Sequence, residues 1–184
     1  ATVGFDLYAQ LLEEAVERAR GEQAHHDIEP DIKLPVAAVI PENHIQAPIE
    51  RLDLYQRMAQ ATTDDAVFNV CADIEALYGP APEEVHHLVE VMLIRRRLKV
   101  LGVIALNGSF SDQEIRMSLA FHAEAPVDRA FLATLIQKNP ERYRLSPSGK
   151  FGITVASTAD TPPRHFLERV RIEIGALAGA RASW

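Results

Sequence analysis

Apolar residues recur every three to four positions at the start of the chain. Phe5, Tyr8, Leu12, Ala15, Val16 and Ala19 share one helical face, Glu13, Glu14, Glu17 and Arg18 take the others, and Gly21 ends the run. This predicts an amphipathic helix that needs a partner surface. The polar stretch "GEQAHHDIEPD" reads as a linker. In "IKLPVAAVIPENHI", β-branched residues interrupted by Pro35 and Pro41 predict a short edge strand and a turn. Pro48 opens the next helix, with Ile49, Leu52, Tyr55, Met58 and Ala59 as its expected apolar face. Thr62 or Thr63 caps another helix, which turns Val67, Val70, Cys71, Ile74 and Leu77 inward and stops at Tyr78-Gly79-Pro80. Pro82 opens a third, "PEEVHHLVEVMLIRRRLKVLG". Its acidic residues Glu83 and Glu84 lie at the positive helix end, Arg95 to Lys99 lie near the negative end, and Gly102 is the expected C-cap.

After Gly102 the period changes from helical to alternating. "VIALNG" predicts a strand ending in a turn at Asn107-Gly108, and "EIRMSLAF" places Ile115, Met117, Leu119 and Phe121 on one face of a second strand. Asp128 is positioned to cap the helix "PVDRAFLATLIQKNPE". "YRLSPSGKFGITV" then reads as two short strands joined by a Ser-Pro-Ser-Gly turn, and a last helix runs from about Pro163 to Leu177. Helices and strands in separate runs predict an α+β fold, with helices packed with a small, mostly antiparallel sheet.

Charge is distributed unevenly. Residues 1–94 carry 18 Asp and Glu against 5 Lys and Arg, a net of −13; residues 95–184 carry 8 against 14, a net of +6. Such asymmetry points to electrostatic contacts either with partners or between the two halves. The overall −7 argues against a chain whose main task is to coat nucleic acid. The apolar runs are too short for a membrane span, so no membrane partner is expected. A lone Cys71 cannot form an internal disulfide, which fits a reducing cytosol, and its apolar helical neighbours Val67, Val70 and Ile74 suggest packing rather than nucleophilic chemistry.

The chemistry-bearing patterns are sparse. Ser148-Gly149-Lys150 lacks the rest of a phosphate loop. The pairs His25-His26 and His86-His87 point in different directions on a helix, so they read as exposed polar residues rather than a metal face. Glu13/Glu14, Asp64/Asp65 and Glu83/Glu84 fall at helix ends or on solvated faces, leaving no catalytic, cofactor-binding or metal-ligating set. The cluster Arg95, Arg96, Arg97 and Lys99, with Arg142, Arg144 and Lys150, has two readings: a basic patch for duplex DNA, or helix C-terminal charge and intramolecular ion pairs.

Five words of the sequence, in order, carry a family resemblance: "VGFDLYAQLLEEAV", "IKLPVAAVIPENHI", "ERLDLYQRMAQA", "YGPAPEEVHHLVEVMLIRRRLKVLGV" and "NPERYRLSPSGKFGITV". They resemble the C-terminal region of the bacterial transcription-repair coupling factors, the Mfd family. The resemblance implies a parent that is a large ATP-dependent translocase on double-stranded DNA, which displaces stalled RNA polymerase and recruits the damage-recognition protein UvrA. ATP and Mg would belong to the parent's motor, and no cofactor is expected in this chain. Residues 1–22 would be a junction helix continuing from the preceding translocase lobe, and 23–184 the regulatory TRCF domain. That domain is expected to pack on the parent's N-terminal UvrB-like domain and cover the surface that UvrA binds.

The family's acidic contacts lie on a helix ending in a pattern like Glu-Leu-x-Asp-Arg-Phe-Gly-Pro. Here the stretch is Asp73-Ile74-Glu75-Ala76-Leu77-Tyr78-Gly79-Pro80. The resemblance therefore makes Asp73, with Glu75 nearby, the expected partner-binding acids. Ala76 and Leu77 replace the Asp-Arg pair, which implies a weaker or differently wired latch. Glu75 does not simply take over, because one helical residue turns a side chain by about 100° around the axis.

Overall fold

The computed structural model describes residues 29–157 and 162–177; the expected junction helix over 1–22 and most of the linker lie outside the described residues. Helix ends leave backbone groups unpaired, and local residues meet part of that cost at several of the described ends. Helix α1 (Pro48–Gln60) starts on a proline, which has no N–H to satisfy. Helix α2 (Asp64–Tyr78) is capped by Thr63, whose side chain accepts from the Ala66 N–H at 3.1 Å, and it ends at Gly79 with φ 88°. Helix α3 (Glu83–Leu101) ends at Gly102, φ 67°, where an added Cβ would also lie 2.8 Å from the Ala125 Cβ. Asp128 caps helix α4 (Arg129–Lys138), accepting from the Ala130 N–H at 2.8 Å, and helix α5 (Pro163–Ala176) starts on a second proline.

The described residues divide into two compact units, with the boundary inside α3 between Leu93 and Ile94. Residues 36–93 form a helical unit. Its extended entry segment buries Val36, Ala38 and Ile40 in alternation without joining a ladder, since Pro35 and Pro41 interrupt the run of donors. Tyr55 is partly buried, and its hydroxyl accepts from the Ile40 N–H at 2.7 Å.

The buried stripe of α1 runs through Leu54 and Met58, whereas Ile49, expected on that face, is 80% exposed in the helix's first turn. On α2, Val67, Val70, Cys71 and Ile74 are buried as expected, but Leu77 is 71% exposed. It lies about 60° beyond Ile74 around the axis, just past the edge of the buried arc. In α3, His87 is buried rather than exposed: its Nδ1–H donates to the Ala37 carbonyl at 2.9 Å, which satisfies the ring inside the unit.

Residues 29–35 and the described residues from 94 onward form the second unit, built on a five-stranded sheet in the order β1-β2-β3-β5-β4. Strand β1 (Asp31–Lys33) pairs in parallel with β2 (Val103–Phe110); β3 (Glu114–Phe121), β4 (Tyr143–Leu145) and β5 (Phe151–Ala156) pair antiparallel. The sheet is thus mostly antiparallel and the fold α+β. The predicted alternation holds for Ile115, Met117 and Leu119, which are buried opposite Val155, Ile153 and Phe151, whereas Phe121 at the strand's end is only partly buried.

The expected Asn107-Gly108 turn is instead the interior of β2, and the chain reverses at Ser111–Gln113, where the Ser111 side chain accepts from the Glu114 N–H at 3.3 Å. Gly108 is needed for space. A Cβ there would sit 2.5 Å from Leu34 Cδ2 and 3.3 Å from the Phe166 ring, which stacks near Phe110 with centroids 4.8 Å apart. On α5, Phe166, Leu167, Val170 and Ile174 are buried, and Glu173, 2% exposed, takes Arg142 at 2.5 Å and Arg169 at 2.9 Å.

Candidate protein-interaction surface

The acidic helices α1 and α2 run antiparallel, because the side chains that bridge them pair in opposite order along the two sequences. Arg57, in the last turn of α1, forms an ion pair with Asp73 of α2, and Glu50, in the first turn of α1, accepts from the Tyr78 hydroxyl at 2.9 Å. That hydrogen bond raises the Tyr78 pKa. Asp73, the acid singled out in the sequence, is therefore half exposed but already engaged by a guanidinium.

Glu75 lies elsewhere on α2. Two residues separate it from Asp73, so the two acids project about 200° apart and the helix does not bring them together. Glu75 instead faces Cys71, one turn earlier, and His86 at the start of α3. The Cys71 sulfur, a Glu75 carboxylate oxygen and a His86 ring nitrogen all lie within 4.8 Å of one another. Burial, with the Glu75 charge second, pushes the Cys71 thiol pKa up. Phe68 and Leu77 flank the buried arc of α2 on opposite sides and are 47% and 71% exposed.

Two members of the basic cluster, Arg95 and Lys99, are paired within their own unit. Arg95 and Lys99, one helical turn apart, close on the single carboxylate of Glu29 at 2.6 and 2.7 Å. Arg96 and Arg97 also have interaction partners, and the Arg97 Nε lies 3.8 Å from where a Cβ on Gly175 would sit. Arg142 is drawn to Glu173, whose hydrogen bond raises its pKa further. Of the two readings open at the sequence level, the structure supplies intramolecular carboxylates for Arg95, Lys99 and Arg142.

Two functional neighbours escaped the sequence. Arg57 was not visible as the partner of Asp73, although an antiparallel α1–α2 pair joined by a short loop makes such a contact available. His86 joins Cys71 and Glu75 only because Gly79 to Pro82 turn the chain back within four residues, a juxtaposition that residue spacing on one helix does not encode. No helix among the described residues is long and apolar enough to cross a membrane.

Two acidic helices and the start of a long third, together with a mixed five-stranded sheet with a covering helix, define an α+β class already seen in a solved structure. A crystal structure of the C-terminal domain of a transcription-repair coupling factor superposes with a TM-score of 0.56 at 16% identity, covering 79% of this chain and 93% of that one. The TRCF domain family model matches residues 34–130, just over half the chain, and the chain belongs to that family. Among curated relatives, the transcription-repair-coupling factor of Myxococcus xanthus is 37% identical over 150 residues, 82% of this chain and 12% of the relative. That of Escherichia coli K12 is 29% identical over 149 residues, covering 78% and 13%. The chain thus spans about an eighth of the length of the relatives it matches.

Proposed function

We propose that the chain is the regulatory, autoinhibitory interaction domain of a transcription-repair coupling factor. In this reading the parent is an ATP-dependent DNA translocase that removes stalled RNA polymerase and recruits UvrA. The domain docks on the parent's N-terminal UvrB-like domain and masks the surface that UvrA would use. ATP hydrolysis and its Mg belong to the rest of the parent, and the domain itself is not an enzyme.

One observation carries the reading: the unit that fills the first part of the family match is strongly acidic and presents apolar side chains beside that charge. Residues 36–93 hold ten Asp and Glu against two Arg, and Ile49, Phe68 and Leu77 are 80%, 47% and 71% exposed. Carboxylates around a few exposed apolar side chains suit a basic-rimmed protein surface, where charge steers encounter and apolar contact holds the complex.

Isothermal titration of the chain against the isolated UvrB-like domain should show binding that weakens as salt rises. Joining the two domains by a flexible linker raises their effective concentration to the millimolar range. A linked pair that still binds UvrA as well as the free UvrB-like domain does would overturn the masking role.

A further inference from the structure

We propose that Cys71, Glu75 and His86 form a zinc site that clips the second half of α2 to the first turn of α3. Spacing and topology assemble it. Cys71 and Glu75 are four residues apart and therefore share one side of α2. Gly79, with φ 88°, and the prolines at 80 and 82 reverse the chain so that His86 arrives beside them one turn into α3. The three ligand atoms lie within 4.8 Å of one another.

Ligands on a tetrahedral zinc sit roughly 2.0–2.3 Å from the metal and so about 3.5 Å from each other. Closure therefore asks for a contraction of about 1 Å, which the exposed Glu75 side chain can supply by changing rotamer. A thiol, an imidazole and a carboxylate are a donor set that favours zinc over calcium or magnesium, which take oxygen ligands. Three protein ligands leave the fourth position to water.

The chemistry balances without a co-reactant. Zinc takes the place of the Cys71 proton, which leaves to solvent, while His86 binds as the neutral imidazole and Glu75 as the carboxylate. In the metal-free chain, burial and the neighbouring Glu75 charge keep the thiol protonated. A divalent cation reverses both effects, because it neutralises Glu75 and stabilises the thiolate. The alternative is a packed cysteine beside two polar residues of unrelated role. That account predicts no dependence of any metal signal on Glu75 or His86.

The test uses the 184-residue chain, stripped by chelator and titrated with Co²⁺ as a coloured substitute for zinc. One equivalent should produce a sulfur-to-cobalt charge-transfer band, which can arise only from the single cysteine, and Zn²⁺ should abolish it by displacement. Glu75→Gln, at an exposed position that leaves the fold intact, and His86→Ala should each weaken Co²⁺ binding at least about tenfold, since even outer-shell changes cost 10–100-fold. Zn²⁺ should raise the thermal midpoint of the wild type and not of Cys71→Ser. Absence of the band at saturating Co²⁺, or a band whose midpoint is the same in wild type, Glu75→Gln and His86→Ala, overturns the site.

Discussion

The two units handle charge in opposite ways. The helical unit, residues 36–93, has ten carboxylates and two arginines, and both arginines are committed: Arg51 to Glu42 and the Ile45 carbonyl, Arg57 to Asp73. The segment holds no further Lys or Arg, although its other acids are not all without partners: Glu50 accepts from the Tyr78 hydroxyl, and Asp64 and Glu90 are engaged as well. The sheet unit has the reverse excess and too few carboxylates to give each cation its own. There two carboxylates each serve two cations, Glu29 for Arg95 and Lys99 and Glu173 for Arg142 and Arg169, while Asp31, Glu114 and Glu168 pair with Lys33, Arg116 and Arg164 singly. Scarce acids become hubs inside their unit, while surplus acids leave a field outside that attracts cationic partners and weakens the unit that carries it through self-repulsion.

The sharpest way to break this comparison is to remove a hub. Glu173 is 2% exposed, and Glu173→Ala leaves Arg142 and Arg169 without their shared acceptor. Losing one partner of a fully buried pair costs about 3–5 kcal/mol, but both arginine side chains keep around 40% exposure, so about 2–3 kcal/mol is expected by urea denaturation. Removing a surplus acid of the helical unit, as in Glu75→Gln, should change stability by less than about 0.5 kcal/mol in chelated buffer. Equal effects of the two substitutions would erase the distinction between hub and surplus.

Much of this architecture was legible in the sequence because its signals are local. Thr63, Asp128, Gly79 and Gly102 act where capping chemistry places them, and the alternation of Ile115, Met117 and Leu119 predicted the buried sheet face. What failed depended on distant residues. Asn107-Gly108 has turn chemistry, yet Asn107 pairs with Lys33 and Ser118 and Gly108 with Met117, so both lie inside a strand. Ile49 and Leu77 fit a helical period and still lie outside the buried arcs, since period does not say how wide a neighbour's cover is. His87 has the sequence setting of a surface polar residue, and only the distant Ala37 carbonyl against its ring allows it to be buried. The same limit applied to the surface. Asp73 and Glu75 were expected from the family resemblance, but Arg57 and His86, which lie against them, come from other elements.

A smaller effect tests burial beside surplus charge. Burial first and Glu75 second raise the Cys71 thiol above its ordinary 9.0, so the folded chain holds this proton more tightly than the unfolded one. The stability this contributes is complete below pH 9.0, begins to fall once the unfolded thiol ionises, and is gone when the folded thiol ionises. Urea midpoints of metal-free wild type and Cys71→Ala should therefore differ by a constant amount up to about pH 8.5 and converge at higher pH. A gap that stays constant to pH 11 would mean that Cys71 titrates alike in both states. Glu75→Gln removes only the weaker cause and should leave most of the convergence in place.

The smallest expected effect sharpens the comparison most. Arg57 and Asp73 form an ion pair whose side chains are 42% and 50% exposed, so their direct coupling should be only about 0.2–1 kcal/mol. If the pair were all that mattered, Arg57→Ala and Asp73→Asn would cost the same. The surrounding field makes them unequal. Residues 36–93 carry −8, which Arg57→Ala worsens by one charge and Asp73→Asn relieves by one. Arg57→Ala should therefore destabilise by about 0.5–1 kcal/mol and Asp73→Asn by less than half of that at low salt. At 1 M salt the screening length falls to roughly 3 Å, which removes the field beyond the contact pair and should bring the two costs together. An asymmetry that survives high salt would trace to the lost packing of the arginine stem rather than to charge. One that is absent at low salt would mean that the surplus carboxylates are already neutralised by bound cations, and that the acidic unit does not carry the field its composition implies.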